Sequence, residues 1–160
     1  MPRTLDQAYP FVRDSYVAMG FPDILFGPND AFVKLKERRA ETHPDIVLGL
    51  CPPSDIRKDD AVAFETNGTV KDLVLRPVDR TLPYSWAVAL WTPTYTDFLH
   101  DYVRKNQVNA VGGQELTAGH AIRAAVHAGL KVDAVVLGDD PYLDIGTPDN
   151  LARAIADSAR

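Results

Sequence analysis

The stretch Pro141-Tyr-Leu-Asp-Ile-Gly-Thr-Pro148 is the most specific pattern in this sequence. It follows an apolar run at 132–137, which has the length and composition of a buried strand. Thr147 is a residue that caps helix N-termini well, and Pro148 suits the first helical turn. The stretch therefore predicts a strand, a turn that contains Asp144, and a helix at the end of the chain.

Outward from this stretch, strand-like and helix-like segments alternate, which predicts an α/β architecture with helices packed on a sheet. The predicted strands are at 15–20, 45–50, 61–65, 70–75, 84–91 and 132–137. The predicted helices are at 4–13, from 29 or 30, from 94 or 96, at 114–128 and from 147. One domain spanning residues 1–160 accommodates all of these segments.

Two glycines mark the ends of predicted elements. Asn67-Gly68 separates two strand-like runs and is a strong hairpin signal, because both residues tolerate a positive φ. Gly129 follows the helix predicted at 114–128, where a left-handed residue commonly ends a helix. These positions predict a hairpin turn and a helix C-terminus.

Burial is predicted from the apolar side chains. The run 15–20 is almost wholly apolar and is predicted to be a buried strand. The helix that begins near residue 29 is expected to turn Phe32, Val33 and Leu35 toward the core and its charges toward solvent.

Composition restricts the classes of function. Hydrophobic residues make up 46% of the chain and charged residues 24%, as in a globular protein. The net charge is −5. The basic run Lys34–Arg39 is typical of a solvated helix face, and no other basic patch is evident. We therefore predict no nucleic-acid partner. A single cysteine, Cys51, permits no intrachain disulfide, and no apolar run approaches the ~20 residues of a membrane span. We therefore expect a cytoplasmic protein with no membrane contact.

The motif around Asp144 resembles the strand, acidic residue, Gly-Thr turn and helix near the C-terminus of the sugar-phosphate nucleotidyltransferases, such as the glucose-1-phosphate thymidylyltransferases. The resemblance implies a Rossmann-like α/β fold with a mixed, mainly parallel sheet flanked by helices. It also implies that Asp144 helps to bind a catalytic Mg²⁺, which carboxylate oxygens suit well. The alternative role for Asp144 is to cap a turn before Gly146.

A second aspartate matches a metal-binding position of the same family. Asp23 follows a strand-like run and precedes an apolar residue and an aromatic, although Pro22 departs from the Gly-Asp pair that is usual there. The resemblance implies that Asp23 and Asp144 together hold Mg²⁺. The alternative for Asp23 is an ordinary loop carboxylate.

The resemblance also implies contacts to substrate. Arg76-Pro77 is similar to the lysine-proline pair of the family, so the resemblance implies that Arg76 is a catalytic residue that binds phosphate, although Leu75 stands where many members have glutamate. The alternative for Arg76 is a surface cation at the end of a strand. Trp86 lies in the strand that lines the sugar pocket, with core packing as its alternative role. Glu115 matches a glutamate that approaches the sugar hydroxyls, with a first-turn helix acid as its alternative. Gly146 belongs to the motif around Asp144, and the resemblance implies that it contacts substrate.

The family pattern is incomplete in this sequence. Family members open with a strand, a glycine-rich loop that holds the nucleotide phosphates and a later lysine, and this chain shows no such pattern. The resemblance thus covers the C-terminal two-thirds of the family fold. We expect an N-terminally incomplete form, with a sheet edge that favours self-association into a homo-oligomer.

Two functions follow from the resemblance. The first is sugar-1-phosphate nucleotidyl transfer, in which a nucleoside triphosphate and a sugar 1-phosphate give a nucleoside-diphosphate sugar and pyrophosphate, in a truncated or fragmentary enzyme. The second is a non-catalytic module that binds a sugar nucleotide or pairs with another subunit. The sequence leaves the base and the sugar open.

Overall fold

The computed structural model describes residues 1–53, 59–77, 81–107 and 116–158. Its elements in chain order are α1 (Pro2–Asp6), α2 (Tyr9–Val12), β1 (Val17–Gly20), β2 (Ile24–Leu25), α3 (Ala31–Thr42), β3 (Ile46–Cys51), β4 (Ala61–Phe64), β5 (Val70–Val74), β6 (Ser85–Trp91), α4 (Pro93–Gln107), α5 (Ala118–His127), β7 (Val132–Val136), β8 (Leu143–Asp144) and α6 (Pro148–Ser158). No helix within these described residues is long and apolar enough to cross a bilayer.

The central sheet has the strand order β1-β6-β3-β7 and is mixed, as predicted. Within it, β3 and β7 are parallel, whereas β6 is antiparallel to both β1 and β3. The expectation of mainly parallel pairing is therefore corrected. The physical reason is that the connection between β3 and β6 contains a hairpin and no crossover helix. A hairpin brings the chain back in the reverse direction, so β6 runs antiparallel to β3.

That hairpin is formed by β4 and β5, as the Asn67-Gly68 pair predicted. Gly68 has a φ of 90°, and the side-chain oxygen of Asn67 accepts a hydrogen bond of 2.9 Å from the backbone N–H of Thr69. The Gly68 carbonyl in turn accepts a hydrogen bond of 2.8 Å from Ala134 on β7. The turn thus attaches the hairpin to the outer side of the central sheet.

The sheet separates two apolar clusters, one on each face. The larger packs α4, α5 and the hairpin against the sheet, and the smaller packs α3 and Tyr142 against the opposite face. Strand β3 supplies both clusters because all six of its residues are buried, as a central strand requires. Each fully buried Leu, Ile or Val side chain stabilises the fold by about 1.5–3 kcal/mol relative to exposure.

Helix α3 begins where the sequence predicted, after Asp30, but its buried face differs from the prediction. Ala31 and Leu35 are buried, whereas Phe32 and Val33 are 38% and 55% exposed. Residues four apart lie on the same face of a helix. Because Leu35 contacts the sheet, Ala31 is buried with it and Val33 faces outward.

The N-terminal part of the chain departs from the prediction in two respects. The helix expected at 4–13 is two short helices, and Pro10 lies in the first turn of α2 where its missing N–H costs nothing. Strand β1 is half-exposed, with Ala18 and Gly20 on the surface, because among the described strands it pairs with β6 on one side and forms the end of the sheet.

The ends of α5 and α6 confirm the capping predictions. Gly129 has a φ of 89° and follows α5, and the backbone of Asn150 donates to the Thr147 hydroxyl at 3.3 Å. Helix α5 begins at Ala118, capped by Thr117, whose N–H and hydroxyl both contact the His120 ring. The predicted start of this helix at 114 lies outside the described residues.

Candidate functional site

A cavity of about 250 Å³ lies beside the first half of β6. Its volume is close to the lower end of the ~300–1,000 Å³ that is usual for small-molecule sites. The lining comes from separate parts of the chain, namely the loop after β1, the residues before β4, the end of β5, the start of α5 and Tyr142. Loops that meet beside a rigid sheet are a common way to build a binding site.

Three of the residues singled out from the sequence line this cavity: Asp23, Arg76 and Trp86. They come from the loop after β1, the end of β5 and the start of β6. The cavity therefore collects a carboxylate, a guanidinium and an aromatic ring from positions that are far apart in sequence.

Asp144 and Gly146 lie next to Asp23 through the pairing of β2 with β8. Ile24 is opposite Asp144 in this short antiparallel ladder, and the N–H of Ile145 donates to the Asp23 carbonyl at 2.8 Å. A Cβ atom built on Gly146 would lie 3.0 Å from Asp144 Oδ1 and 3.1 Å from Asp23 Oδ2. The two carboxylates therefore converge on a small space that glycine keeps open.

This pair of carboxylates is compatible with Mg²⁺. Mg²⁺ commonly binds one or two protein carboxylates and fills its other positions with water and substrate phosphate. Among the described residues, no group of three or more His, Cys, Asp or Glu side chains is arranged to hold a metal. The donor set of Asp23 and Asp144, with the space beside Gly146, thus suits a cation that retains water or substrate ligands.

Two hydrogen bonds hold the turn that carries Asp144. The N–H of Gly146 donates to Asp144 Oδ1 at 2.8 Å, and the Asn150 side chain donates to the Asp144 carbonyl at 2.7 Å. Asn150 belongs to the first turn of α6, so the helix and the turn fix each other. The capping role that the sequence left open for Asp144 and its proximity to Asp23 therefore coexist.

Arg76 follows β5 in an uncommon backbone conformation. Its φ is 45°, in the left-handed region that costs a residue with a Cβ roughly 1–2 kcal/mol. Its backbone N–H donates to Asp60 Oδ1 at 3.3 Å, and its side chain is among those that line the cavity. Arg76 is an exposed residue, so the cavity has a cationic residue at its border with solvent.

Trp86 is both a core residue and part of the cavity wall. It is 6% exposed and belongs to the larger apolar cluster, yet it also lines the cavity. Its ring lies 5.3 Å from that of Phe21, measured between centroids. Together the two rings form an apolar wall beside the charged groups.

The sequence did not single out Asp60, which also lines the cavity. Burial raises the pKa of Asp60, and the Arg76 N–H and the positive charges nearby offset part of that rise. An Asp-Asp pair after a charged segment has the pattern of a solvated loop, so only the fold reveals that Asp60 is enclosed. Glu115, the other predicted sugar contact, lies outside the described residues.

The ionisable side chains that line the cavity are mainly acidic. Of the ionisable side chains that line it in the described part of the chain, Asp23, Asp59 and Asp60 carry carboxylates and Arg76 carries a guanidinium. An anionic ligand would be attracted by Arg76 and by any cation bound at Asp23, and would be repelled by the carboxylates of Asp59 and Asp60.

No protein-family model matches this sequence, and no curated protein matches it. Solved structures do match its fold. A protein from Bacillus anthracis described as a glucose-1-phosphate thymidylyltransferase, in complex with a sucrose, matches 98% of this chain at a TM-score of 0.76 and 15% identity. The inositol-1-phosphate CTP transferase from T. maritima matches 97% of this chain at a TM-score of 0.71 and 18% identity. An apo UDP-glucose pyrophosphorylase matches 100% of this chain at a TM-score of 0.76 and 12% identity.

These three proteins are sugar-phosphate nucleotidyltransferases, and the chain has their fold, as the resemblance implied. The chain corresponds to 59%, 59% and 61% of the lengths of the three structures. At identities of 12–18% the likeness establishes the fold, while activity has to be argued from the site.

Proposed function

We propose that this chain carries the sugar-phosphate side of a sugar-1-phosphate nucleotidyltransferase site. The observation that carries the proposal is the convergence of Asp23, Arg76 and Trp86 on one cavity, with Asp144 beside Asp23 across Gly146. In the reaction, a phosphate oxygen of the sugar 1-phosphate attacks the α-phosphorus of a nucleoside triphosphate. Pyrophosphate leaves, and a nucleoside-diphosphate sugar is formed.

Asp23 and Asp144 would hold Mg²⁺ in this proposal. Their oxygens face a common space, and the hydrogen bond from the Gly146 N–H orients Asp144 Oδ1. When bound, Mg²⁺ supplies positive charge that offsets the repulsion between the phosphate groups of the two substrates. The contribution of the chain is to fix the two oxygens before substrate arrives.

Arg76 would bind a phosphate oxygen of the sugar phosphate. A guanidinium donates two parallel hydrogen bonds to phosphate, which fixes orientation as well as supplying charge. The contact of its backbone N–H with Asp60 anchors the residue at the cavity.

The rings of Trp86 and Phe21 would bind the apolar face of the sugar. Aromatic walls are a usual part of small-molecule pockets, in which a few polar groups set the orientation. The rings also limit the water that reaches the phosphate end, which strengthens the electrostatic contacts there.

The test is calorimetric titration of the chain with glucose 1-phosphate, in Mg²⁺ and then in a chelator. We expect binding that needs Mg²⁺ and that weakens about tenfold or more in Asp144→Asn and in Asp23→Asn, equivalent to about 1.4 kcal/mol. Asp14→Asn is the matched control, because the Asp14 side chain is 88% exposed and its carboxylate pairs with Arg13 outside the cavity. Binding that is unchanged by both the chelator and the Asp144 variant would contradict the proposal.

The same samples separate an enzyme from a binding module. Turnover is a distinct question, because the chain corresponds to about 59–61% of the length of its structural neighbours. Release of pyrophosphate from nucleoside triphosphate and glucose 1-phosphate would support transfer by this chain. Mg²⁺-dependent binding without pyrophosphate release would support the non-catalytic sugar-nucleotide module.

A further inference from the structure

A second cavity, of about 390 Å³, is a groove between α3, the hairpin tip and the end of β7. Four charged side chains of α3 form one wall, and the stretch of β7 from Ala134 to Val136 forms another. The hairpin tip at residues 66–68 also borders the groove. It shares no lining residue with the cavity beside β6, so the two are separate.

The outer side of β7 is paired along only part of its length. Thr69 forms an antiparallel bridge with Asp133, and the Ala134 N–H donates to the Gly68 carbonyl at 2.8 Å. Alternate residues of a strand direct their backbone groups to the same side, so the N–H and C=O of Val136 face the same way as the Ala134 N–H. No described strand pairs with this side of β7 beyond Ala134, and Val136 is 39% exposed. This end of β7 is therefore an open sheet edge in the described part of the chain.

The wall formed by α3 has two carboxylates to offer. Lys34 pairs with the aspartate one turn before it at 3.5 Å, and Arg38 pairs with the buried Asp133 at 2.9 Å. Both cations of the groove therefore already have an acidic partner. Glu37 and Glu41 are exposed, and neither forms an ion pair with another described residue. A positive charge in the groove would thus be attracted by these two side chains.

The register of the open edge fixes which residues of an added strand would face α3. Val135 packs in the apolar cluster beneath α3, so the side chain of Val136 points to the other side of the sheet. A residue paired with Val136 would point the same way as Val136, and the residues before and after it would point toward α3. Basic side chains at those two positions would lie on the same side of the sheet as Glu37 and Glu41.

We propose that this groove binds an extended, basic segment of another polypeptide, which adds an antiparallel strand to β7 beside Val136 and pairs Lys or Arg side chains with Glu37 and Glu41. In such strand addition the backbone hydrogen bonds supply affinity, and alternate side chains supply specificity. The inference goes beyond the proposed function and uses none of its residues.

The test is an amide NMR titration of the full ¹⁵N-labelled chain with the acetylated and amidated pentapeptide TKVKT. We expect saturable shifts of the Glu37, Val135 and Val136 amides. The peptide TEVET reverses the charges, and TKPKT removes the central N–H that would pair with the Val136 carbonyl. Relative to TKVKT, we expect affinity to fall about tenfold for TEVET and about threefold or more for TKPKT.

Glu37→Gln combined with Glu41→Gln removes both carboxylates and keeps their shape. We expect this double variant to bind TKVKT about fivefold more weakly, since exposed ion pairs are individually modest. Asp14→Asn combined with Asp101→Asn is the matched control, because it removes two charges at exposed positions outside the groove. The control should retain the wild-type affinity.

Three results would overturn the proposal: no shifts at Val135 and Val136, a control peptide that binds as well as TKVKT, or equal affinities in the two double variants. Shifts of these amides that depend on protein concentration without peptide would also overturn it, because a second copy of the chain would then fill the groove. The titration uses neither Mg²⁺ nor sugar phosphate, so its failure leaves the proposed function intact.

Discussion

Asp23 and Asp144 face a common point, since a Cβ atom on Gly146 would lie 3.1 Å from Asp23 Oδ2 and 3.0 Å from Asp144 Oδ1. The pairing of β2 with β8 creates this relationship by placing Ile24 opposite Asp144. Mg²⁺ commonly binds one or two protein carboxylates, so two carboxylates that face one space are a suitable pair of ligands for it. Their proximity is the feature around which the proposed site is arranged.

Gly146→Ala should block the space between these carboxylates. The added methyl group would lie closer to both carboxylate oxygens than an ordinary van der Waals contact distance. We expect affinity for glucose 1-phosphate in Mg²⁺ to fall by about tenfold, measured by calorimetry. Gly138→Ala is the control, because a Cβ there meets nothing within 4 Å. Equal affinities in the two variants would show that the space beside Gly146 is not used.

Asp60→Asn should make the chain more stable at neutral pH. Burial raises the pKa of Asp60, so its ionisation is harder in the folded chain than in the unfolded one. A raised carboxyl pKa contributes stability below the unfolded pKa, and that contribution is lost as pH rises through the folded value. The variant should therefore match wild type near pH 4 and exceed it near pH 7 in urea denaturation. A difference that is the same at both pH values would contradict this reading of the carboxylate.

Gly49→Ala should destabilise the centre of the sheet. A Cβ on Gly49 would lie 2.5 Å from Val88 Cγ2, 2.9 Å from Leu137 Cδ1 and 3.2 Å from Leu35 Cδ1, so packed side chains would have to move. We expect a loss of about 1–3 kcal/mol in the free energy of unfolding, measured by denaturant titration. Gly20→Ala is the control, because its Cβ would make ordinary contacts of 3.7 and 3.8 Å. Equal stabilities would refute the packing argument.

Arg38→Met should leave a buried charge without its partner. Asp133 is fully buried on β7, and its Oδ2 accepts hydrogen bonds from Arg38 Nε at 2.9 Å and the Thr42 hydroxyl at 2.6 Å. Removing one partner of such a pair costs about 3–5 kcal/mol. Lys36→Met makes the same kind of change at an exposed position of α3 and should cost little. Similar denaturation midpoints for the two variants would show that Asp133 does not depend on Arg38.

The elements that local chemistry controls were predictable from the sequence. The strands that became β3, β6 and β7 are continuous apolar runs, and Gly68 and Gly129 adopt the positive φ that their positions required. Thr147 and Pro148 begin the last helix as capping rules indicate. In each case the signal lies within a few residues of the feature.

The features that depend on distant contacts were not predictable in the same way. The antiparallel direction of β6 follows from the path of the hairpin, and the exposure of Phe32 follows from the face of α3 that meets the sheet. Asp60 lines the cavity and its carboxylate lies beside Gly119 of α5, which no local pattern indicates. The family resemblance had placed Asp23 and Asp144 in one site, and the structure brings them together; their role in metal binding remains a prediction.

The most direct test of the central claim uses Mn²⁺ in place of Mg²⁺, followed by amide NMR of the ¹⁵N-labelled chain. Paramagnetic broadening reports which amides lie close to the ion. The proposed site predicts that the amides of Ile24, Ile145 and Gly146 broaden first, and that Asp144→Asn abolishes this effect while Asp14→Asn does not. Broadening confined to other acidic surfaces, with these three signals unaffected, would contradict the account.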